Sequence, residues 1–162
     1  MTHRPIILYK SGPNKIYTHY GIPFQCVELI RRYLILYYGL TFQSIPDAFD
    51  MFSSVNSLIH IKTNHNILLE TIFSNDVDDL RVGDIIFWKR SRINDNYGHV
   101  AIVVSSTKIN VIIAQQNTDN LVEKYNKSDI IREINKKKTK FLGIKRLPEF
   151  IPIPSRIRYQ IK

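Results

Sequence analysis

Three residue types in this chain can do chemistry together: its single cysteine, Cys26, a histidine at His99, and the glutamine pair Gln115–Gln116. A cysteine thiolate attacks carbonyl carbon, an imidazole takes and returns protons near neutrality, and a side-chain amide can hold that imidazole in one tautomer. Each alone has an ordinary explanation. A lone cysteine is usually a small buried apolar group, and a lone histidine a surface or hydrogen-bonded core residue. The surrounding sequence is what sets these three apart.

Cys26 opens the strongest helical pattern in the chain, predicted over Cys26 to Tyr38. Val27, Ile30, Leu34 and Tyr37 recur at helical spacing, Glu28, Arg31 and Arg32 supply polar positions, and Gly39 is a natural stop. Backbone N–H groups in a first helical turn lack partners, and the positive end of the helix dipole lies there. Both stabilise a thiolate. A structural cysteine more often sits mid-helix on the apolar face.

His99 begins an apolar run, His99 to Ser105, after the turn-like Asn94-Asp95-Asn96-Tyr97-Gly98. A second run follows, Ile109 to Asn117. If the two form a hairpin whose loop centres on Thr107, residue 99 lies opposite residue 115. Side chains alternate, so Gln115 and Asn117 share the face that carries His99, while Gln116 points the other way, towards packing. Gln115 can then hold one ring nitrogen of His99 and leave the other for Cys26, the logic of a Cys-His-amide triad. A one-residue slip would exchange Gln115 for Gln116.

The elements that must position these groups are helices first and strands after. A short helix is predicted from Ile45-Pro46-Asp47 through Phe52, loop and short helix over 53–79, and strands over Gly83–Trp88 and Phe141–Ile144. Turns are expected at Ser11–Asn14 and Gly21–Pro23, a solvated loop at Lys136–Lys138, and an extended tail over 148–162, broken by Pro148, Pro152 and Pro154. This order gives an α+β fold, helices on an antiparallel meander, in one domain of 162 residues.

Composition sets the outer limits. The apolar fraction of 44% is that of a globular chain, and no apolar run approaches the ~20 residues that span a bilayer. Ile6-Ile7-Leu8 is too short for a secretory leader, so a cytoplasmic protein is the expectation. One cysteine excludes an internal disulfide and a cysteine metal site, and no metal or cofactor is expected. The net charge of +9 favours anionic partners such as nucleic acid, phospholipid or an acidic polymer. No basic helix or aromatic-interleaved basic strand marks a specific nucleic-acid site, and AT-rich coding also explains the richness in Lys, Asn, Ile and Tyr.

Taken in order, Phe24-Gln25-Cys26-Val27-Glu28-Leu29-Ile30-Arg31-Arg32-Tyr33, Val82-Gly83-Asp84-Ile85-Ile86-Phe87-Trp88, Gly98-His99-Val100-Ala101-Ile102-Val103 and Ala114-Gln115-Gln116-Asn117 resemble the CHAP domain, a cysteine- and histidine-dependent amidohydrolase/peptidase family. The closest subgroup is the amidase domain of glutathionylspermidine synthetase/amidase, which shares the Gln-Cys-Val-Glu helix start. The resemblance covers roughly residues 20 to 120, with the motif-bearing core taken to about 147. It implies a papain-like fold and amide hydrolysis through a thioester acyl-enzyme. Carried onto this chain, it makes Cys26 the nucleophile and His99 the general base. Gln25 and Asn117 become oxyanion or substrate contacts. Arg31 matches a substrate-side arginine, or is simply an exposed helix charge.

Where the family usually has glutamate this chain has Gln115, a neutral amide that can orient His99 but cannot stabilise an imidazolium by its own charge. On this reading Gln115→Glu preserves or raises activity. Three functions compete: an amidase acting on a peptide–polyamine conjugate, a peptidoglycan amidase or endopeptidase, and a catalytically weak binding or virion protein on the same scaffold.

Overall fold

The computed structural model describes residues 4–10, 25–89, 98–138 and 140–162. In chain order its elements are β1 (Ile6–Leu8), α1 (Cys26–Tyr38), β2 (Leu40–Thr41), α2 (Ala48–Ser54), β3 (Ser57–His60), β4 (Asn66–Leu68), β5 (Glu70–Phe73), β6 (Ile85–Trp88), β7 (His99–Ser106), β8 (Asn110–Ala114), β9 (Val122–Asn126), α3 (Ile130–Glu133), β10 (Phe141–Arg146) and β11 (Tyr159–Ile161). A π-helical turn, Ile134–Lys138, extends α3. The turns expected at Ser11–Asn14, Gly21–Pro23 and Asn94–Tyr97 lie outside the described residues.

One antiparallel sheet organises the molecule, in the order β5-β10-β6-β7-β8-β9. Strands β6 to β8 form the meander that the sequence predicts, and β9 continues it. Alternation along them splits the interior into two layers. Ile85, Phe87, Val100, Ile102, Val104 and Ala114 join the cluster under α1, with Leu29, Ile30, Tyr33 and Leu34 of the helix. Ile86, Trp88, Ala101, Val103, Val111 and Ile113 face the other side, against Ile130 and Ile134. Each fully buried aliphatic side chain contributes roughly 1.5–3 kcal/mol of apolar burial, so the two layers hold the sheet in place.

Helix α1 starts and stops where expected. Gly39 closes it with φ +63, its N–H bonding to the Ile35 and Leu34 carbonyls. Its buried face differs in detail from the sequence reading. Leu29, Ile30, Tyr33 and Leu34 are fully buried and Val27 and Tyr37 only partly, and Glu28 and Arg32, read as polar surface, are buried too. Helix α2 is capped by Asp47, whose carboxylate accepts from the Asp50 N–H at 2.8 Å.

Four expectations are corrected. Residues 53–79, read as loop and short helix, hold a short 3-10 helix at Ser74–Asp76 but also the strands β3, β4 and β5. Leu68 and Phe73 are 79% and 61% exposed there, which erases the alternation that would betray a strand. Strand β9 has no counterpart in the sequence reading because its polar composition, Val-Glu-Lys-Tyr-Asn, is that of a sheet edge. Lys136–Lys138 belongs to the π-helical turn, not to a loop. The tail over 148–162 ends in β11, which pairs parallel to β1.

Hairpin β7–β8 turns at Lys108–Ile109 rather than at Thr107. The Thr107 hydroxyl accepts from the Ile109 and Asn110 N–H groups, and the Thr107 N–H bonds the Asn110 carbonyl. A bulge between Val103 and Ser105 then takes back one residue. Ile102 therefore lies against Ala114, two positions from the expected alignment. An even displacement leaves His99 and Gln115, on the far side of the bulge from the turn, on their predicted common face.

Candidate active site

The site grows from two places: the start of α1, and the point where the chain leaves β8. Gln25 is the N-cap residue of α1, with an extended backbone. Its carbonyl accepts the Leu29 N–H at 3.4 Å and the Gln116 side-chain Nε2 at 3.0 Å. Cys26 follows as the first helical residue, 7% exposed. Helix α1 packs against β7, the strand that His99 begins.

His99 is 2% exposed and tilts against the indole of Trp88, its cross-strand neighbour, with ring centroids 4.8 Å apart. Its Nε2 lies 3.0 Å from Gln115 Oε1. The orientation of that amide follows from its other end. Gln115 Nε2 donates to the Asn120 carbonyl at 2.6 Å and to Glu123 Oε1 at 2.5 Å, two groups that can only accept. Gln115 Oε1 must therefore face His99, and His99 Nε2 must carry the proton. In the neutral ring Nδ1 then holds the lone pair, ready to act as a base.

Gln116, equally buried, points to the opposite layer. Its Oε1 accepts from the Tyr9 N–H at 2.9 Å and from Arg32 Nη2 at 3.0 Å, and its Nε2 donates to Glu28 Oε2 at 2.8 Å as well as to the Gln25 carbonyl. Arg32 pairs with Glu28 at 2.7 Å, both nearly inaccessible, and reaches the Ile7 carbonyl at 2.8 Å. The sequence reading places Gln116 in packing and misses this network. The Glu28–Arg32 spacing of four, an ion-pair spacing on a helix, is the available signal.

Asn117, with φ +60, turns the chain away from the strand. Its Nδ2 donates to Gln25 Oε1 at 3.0 Å, which makes Nε2 the donor end of the Gln25 amide. Of the six residues singled out, Gln25 and Asn117 thus meet at the start of α1, next to Cys26 in the chain, while His99 and Gln115 form a second pair on the other face of the sheet. Arg31 is directed elsewhere. Its guanidinium bonds Thr41 Oγ1 and the Phe42 and Gln43 carbonyls and lies 3.9 Å from the Phe42 ring centroid. Burial lowers its pKa from the ordinary arginine value.

The Val82–Trp88 motif serves the frame. Asp84, 1% exposed, accepts from Arg146 Nε and Nη2, both at 2.8 Å, and from the Arg81 N–H, locking β6 to β10. The bidentate Asp84 carboxylate holds Arg146 above its ordinary pKa. Among the described residues no group of three or more His, Cys, Asp or Glu side chains could hold a metal ion, and no helix is long and apolar enough to cross a membrane.

Comparison with known proteins finds similarity over the part of the chain that carries these residues. Two relatives, the bifunctional glutathionylspermidine synthetase/amidases of Escherichia coli (strain K12) and Shigella flexneri, are each 35% identical over 98 residues, 60% of this chain. The chain spans only 16% of the length of those relatives. The CHAP domain model matches residues 15–117, which takes in Gln25, Cys26, His99 and Gln115–Asn117. The chain belongs to the CHAP domain family, a family of cysteine amidases and peptidases.

Proposed function

We propose that the chain is a cysteine-dependent amide hydrolase of papain-like arrangement, in which Cys26 attacks and His99 moves the protons. The observation that carries this reading is the hydrogen bond from His99 Nε2 to Gln115 Oε1, because it reserves Nδ1 for the thiol. In the first step His99 Nδ1 takes the Cys26 proton and the sulfur adds to the amide carbonyl carbon. The oxyanion so formed is met by the Cys26 N–H and the Gln25 side-chain Nε2. Collapse breaks the C–N bond, the imidazolium gives its proton to the leaving amine, and a thioester remains on Cys26. Water, deprotonated by His99, then adds to the thioester, and the carboxylic acid leaves with return of the thiol.

The substrate we propose is a peptide–polyamine amide of the glutathionylspermidine type, supported by the two relatives named above. A peptidoglycan-type amide is the second reading, favoured by the net charge of +9, which suits an anionic polymer better than a polycation. Purified protein assayed against both substrates, beside Cys26→Ala, decides. Release of amine from one of them, abolished in Cys26→Ala, is the expected result. Turnover of neither, together with no labelling of Cys26 by iodoacetamide at about pH 6.5, where an ordinary thiol is almost wholly protonated, overturns the hydrolase reading and leaves a binding protein.

A further inference from the structure

In the amide that holds His99, the oxygen faces the imidazole and both N–H donors are taken by Asn120 and Glu123. Glu123 sits on β9, opposite Ile113 of β8. It is half-buried, and its second oxygen accepts from the Tyr125 hydroxyl at 2.7 Å. Burial, and then the bond to Glu123, hold the Tyr125 phenol above its ordinary pKa, so it stays a donor to the carboxylate. The result is a directed chain: Tyr125 O–H to Glu123, Glu123 to the Gln115 amide, Gln115 to the His99 ring.

We propose that Glu123 is a positioning residue that supplies, through Gln115, the negative charge that Gln115 itself lacks. The inference rests on the hydrolase reading of Cys26 and His99. A carboxylate accepting from the amide N–H draws electron density towards Gln115 Oε1, which strengthens its hold on a protonated His99 Nε2. The same contact prevents the amide from turning over, since the flipped carboxamide would set its oxygen against the Glu123 carboxylate and the Asn120 carbonyl. Glu123 therefore fixes both the tautomer of neutral His99 and the stability of its imidazolium.

Among the described residues, the charged groups around this chain are few. Strand β8 contributes only Asn110–Ala114 opposite β9, none of them charged. Lys124 and Tyr125 follow Glu123 on its own strand, and Glu133 of α3 acts electrostatically on Tyr125. Cys26 is the remaining titratable partner of His99 in the proposed reaction.

This placement reverses the expectation for Gln115→Glu. A carboxylate at position 115 would face Glu123 and the Asn120 carbonyl with no proton between them, so the single change should harm the site.

The test is the pH dependence of Cys26 alkylation by iodoacetamide, measured with amide hydrolysis in wild type, Glu123→Gln, Gln115→Glu and the double variant. Glu123→Gln should cut alkylation near neutral pH about tenfold and move the alkaline limb of the hydrolysis profile to lower pH, because an imidazolium without its distant carboxylate loses its proton sooner. Gln115→Glu alone should also lose activity. The double variant should recover it, since the charge then sits at position 115 and a neutral amide at position 123. A Glu123→Gln profile that superimposes on wild type overturns the proposal. So does a Glu123→Gln change that is as harmful when added to the Gln115→Glu variant as it is in wild type.

Nitrogen NMR of wild-type His99 gives a check that needs no variant. Neutral His99 should be the Nε2–H tautomer, and an Nδ1–H tautomer overturns the chain. An unreactive Cys26 in the wild type strikes the hydrolase reading itself, whereas a reactive Cys26 indifferent to Glu123 strikes only this inference.

Discussion

Gln115 and Gln116 are consecutive in the chain yet serve opposite faces of the sheet: Gln115 Oε1 lies 3.0 Å from His99 Nε2, while Gln116 bonds Glu28, Arg32 and the Gln25 carbonyl in the layer under α1. Strand alternation makes this unavoidable. Two adjacent amides thus link the base on one side to the helix that carries the thiol on the other.

Replacing Gln115 with leucine removes the acceptor of the His99 Nε2–H and leaves the ring free to turn. Amide hydrolysis should fall by an order of magnitude or more, mainly in kcat, with substrate KM little changed. Steady-state kinetics against whichever amide is turned over would show it. An unaltered kcat would mean that the His99–Gln115 bond has no part in the reaction.

Gln116→Leu should act on stability first. The change removes four hydrogen bonds, those with the Tyr9 N–H, Arg32 Nη2, the Gln25 carbonyl and Glu28 Oε2. Losing buried hydrogen bonds of this kind costs roughly 2–4 kcal/mol together, after partial relaxation. Urea unfolding should show a lower midpoint with an unchanged slope. A midpoint equal to wild type would show that water or rearrangement replaces the amide.

Lys145 gives a pH signature away from the site. It is inaccessible, its Nζ donates to Thr71 Oγ1 at 2.8 Å, and it lies 5.5 Å from the Phe52 ring centroid. Burial lowers its pKa to about 8, from 10.5. Between those values the unfolded chain holds a proton that the folded chain has lost, so stability from this group rises as pH rises through that window. Tyr33 and Tyr125, whose pKa values are raised, pull the other way above about pH 10. Unfolding midpoints at about pH 7.5 and 9.5 should therefore rise with pH in the wild type. In Lys145→Met that rise should flatten, with higher stability at the lower pH. Parallel curves for the two proteins would refute the assignment.

Gly143 marks where β10 allows no side chain. Its φ is +147, and a methyl group there would run into the Ile72 carbonyl oxygen of β5 and come within 3.0 Å of Phe52 Cζ. Gly143→Ala should destabilise by roughly 2–4 kcal/mol through lost β5–β10 pairing. Thermal unfolding and amide exchange at Ile72 would read the effect, and native protection at Ile72 would contradict it.

Much of the site is legible before any coordinates, for a physical reason in each case. Cys26 at the head of α1 follows from helical spacing and Gly39, and the face shared by His99 and Gln115 follows from alternation alone. That inference survives a wrong turn position because the register moves by two residues, the bulge at Val103–Ser105 absorbing the odd one. Glu123 and the Glu28–Arg32 pair are not legible as site supports. Their roles depend on tertiary contacts across α1, β8 and β9, and charged side chains read alone look like solvated surface. Strands β3, β4 and β5 escape the sequence reading because their short exposed faces carry Leu68 and Phe73, which blurs the period of two.

Strand β1 is held from three sides: β11 pairs with it in parallel, Arg32 bonds the Ile7 carbonyl, and Gln116 bonds the Tyr9 N–H. A ribosome makes Ile6–Leu8 long before Tyr159–Ile161, so the earliest strand waits for the latest to complete its sheet. The Ile7 carbonyl and Tyr9 N–H that brace Arg32 and Gln116 therefore lie beside a pairing of segments far apart in sequence, the kind of non-local contact whose loop-closure cost slows folding.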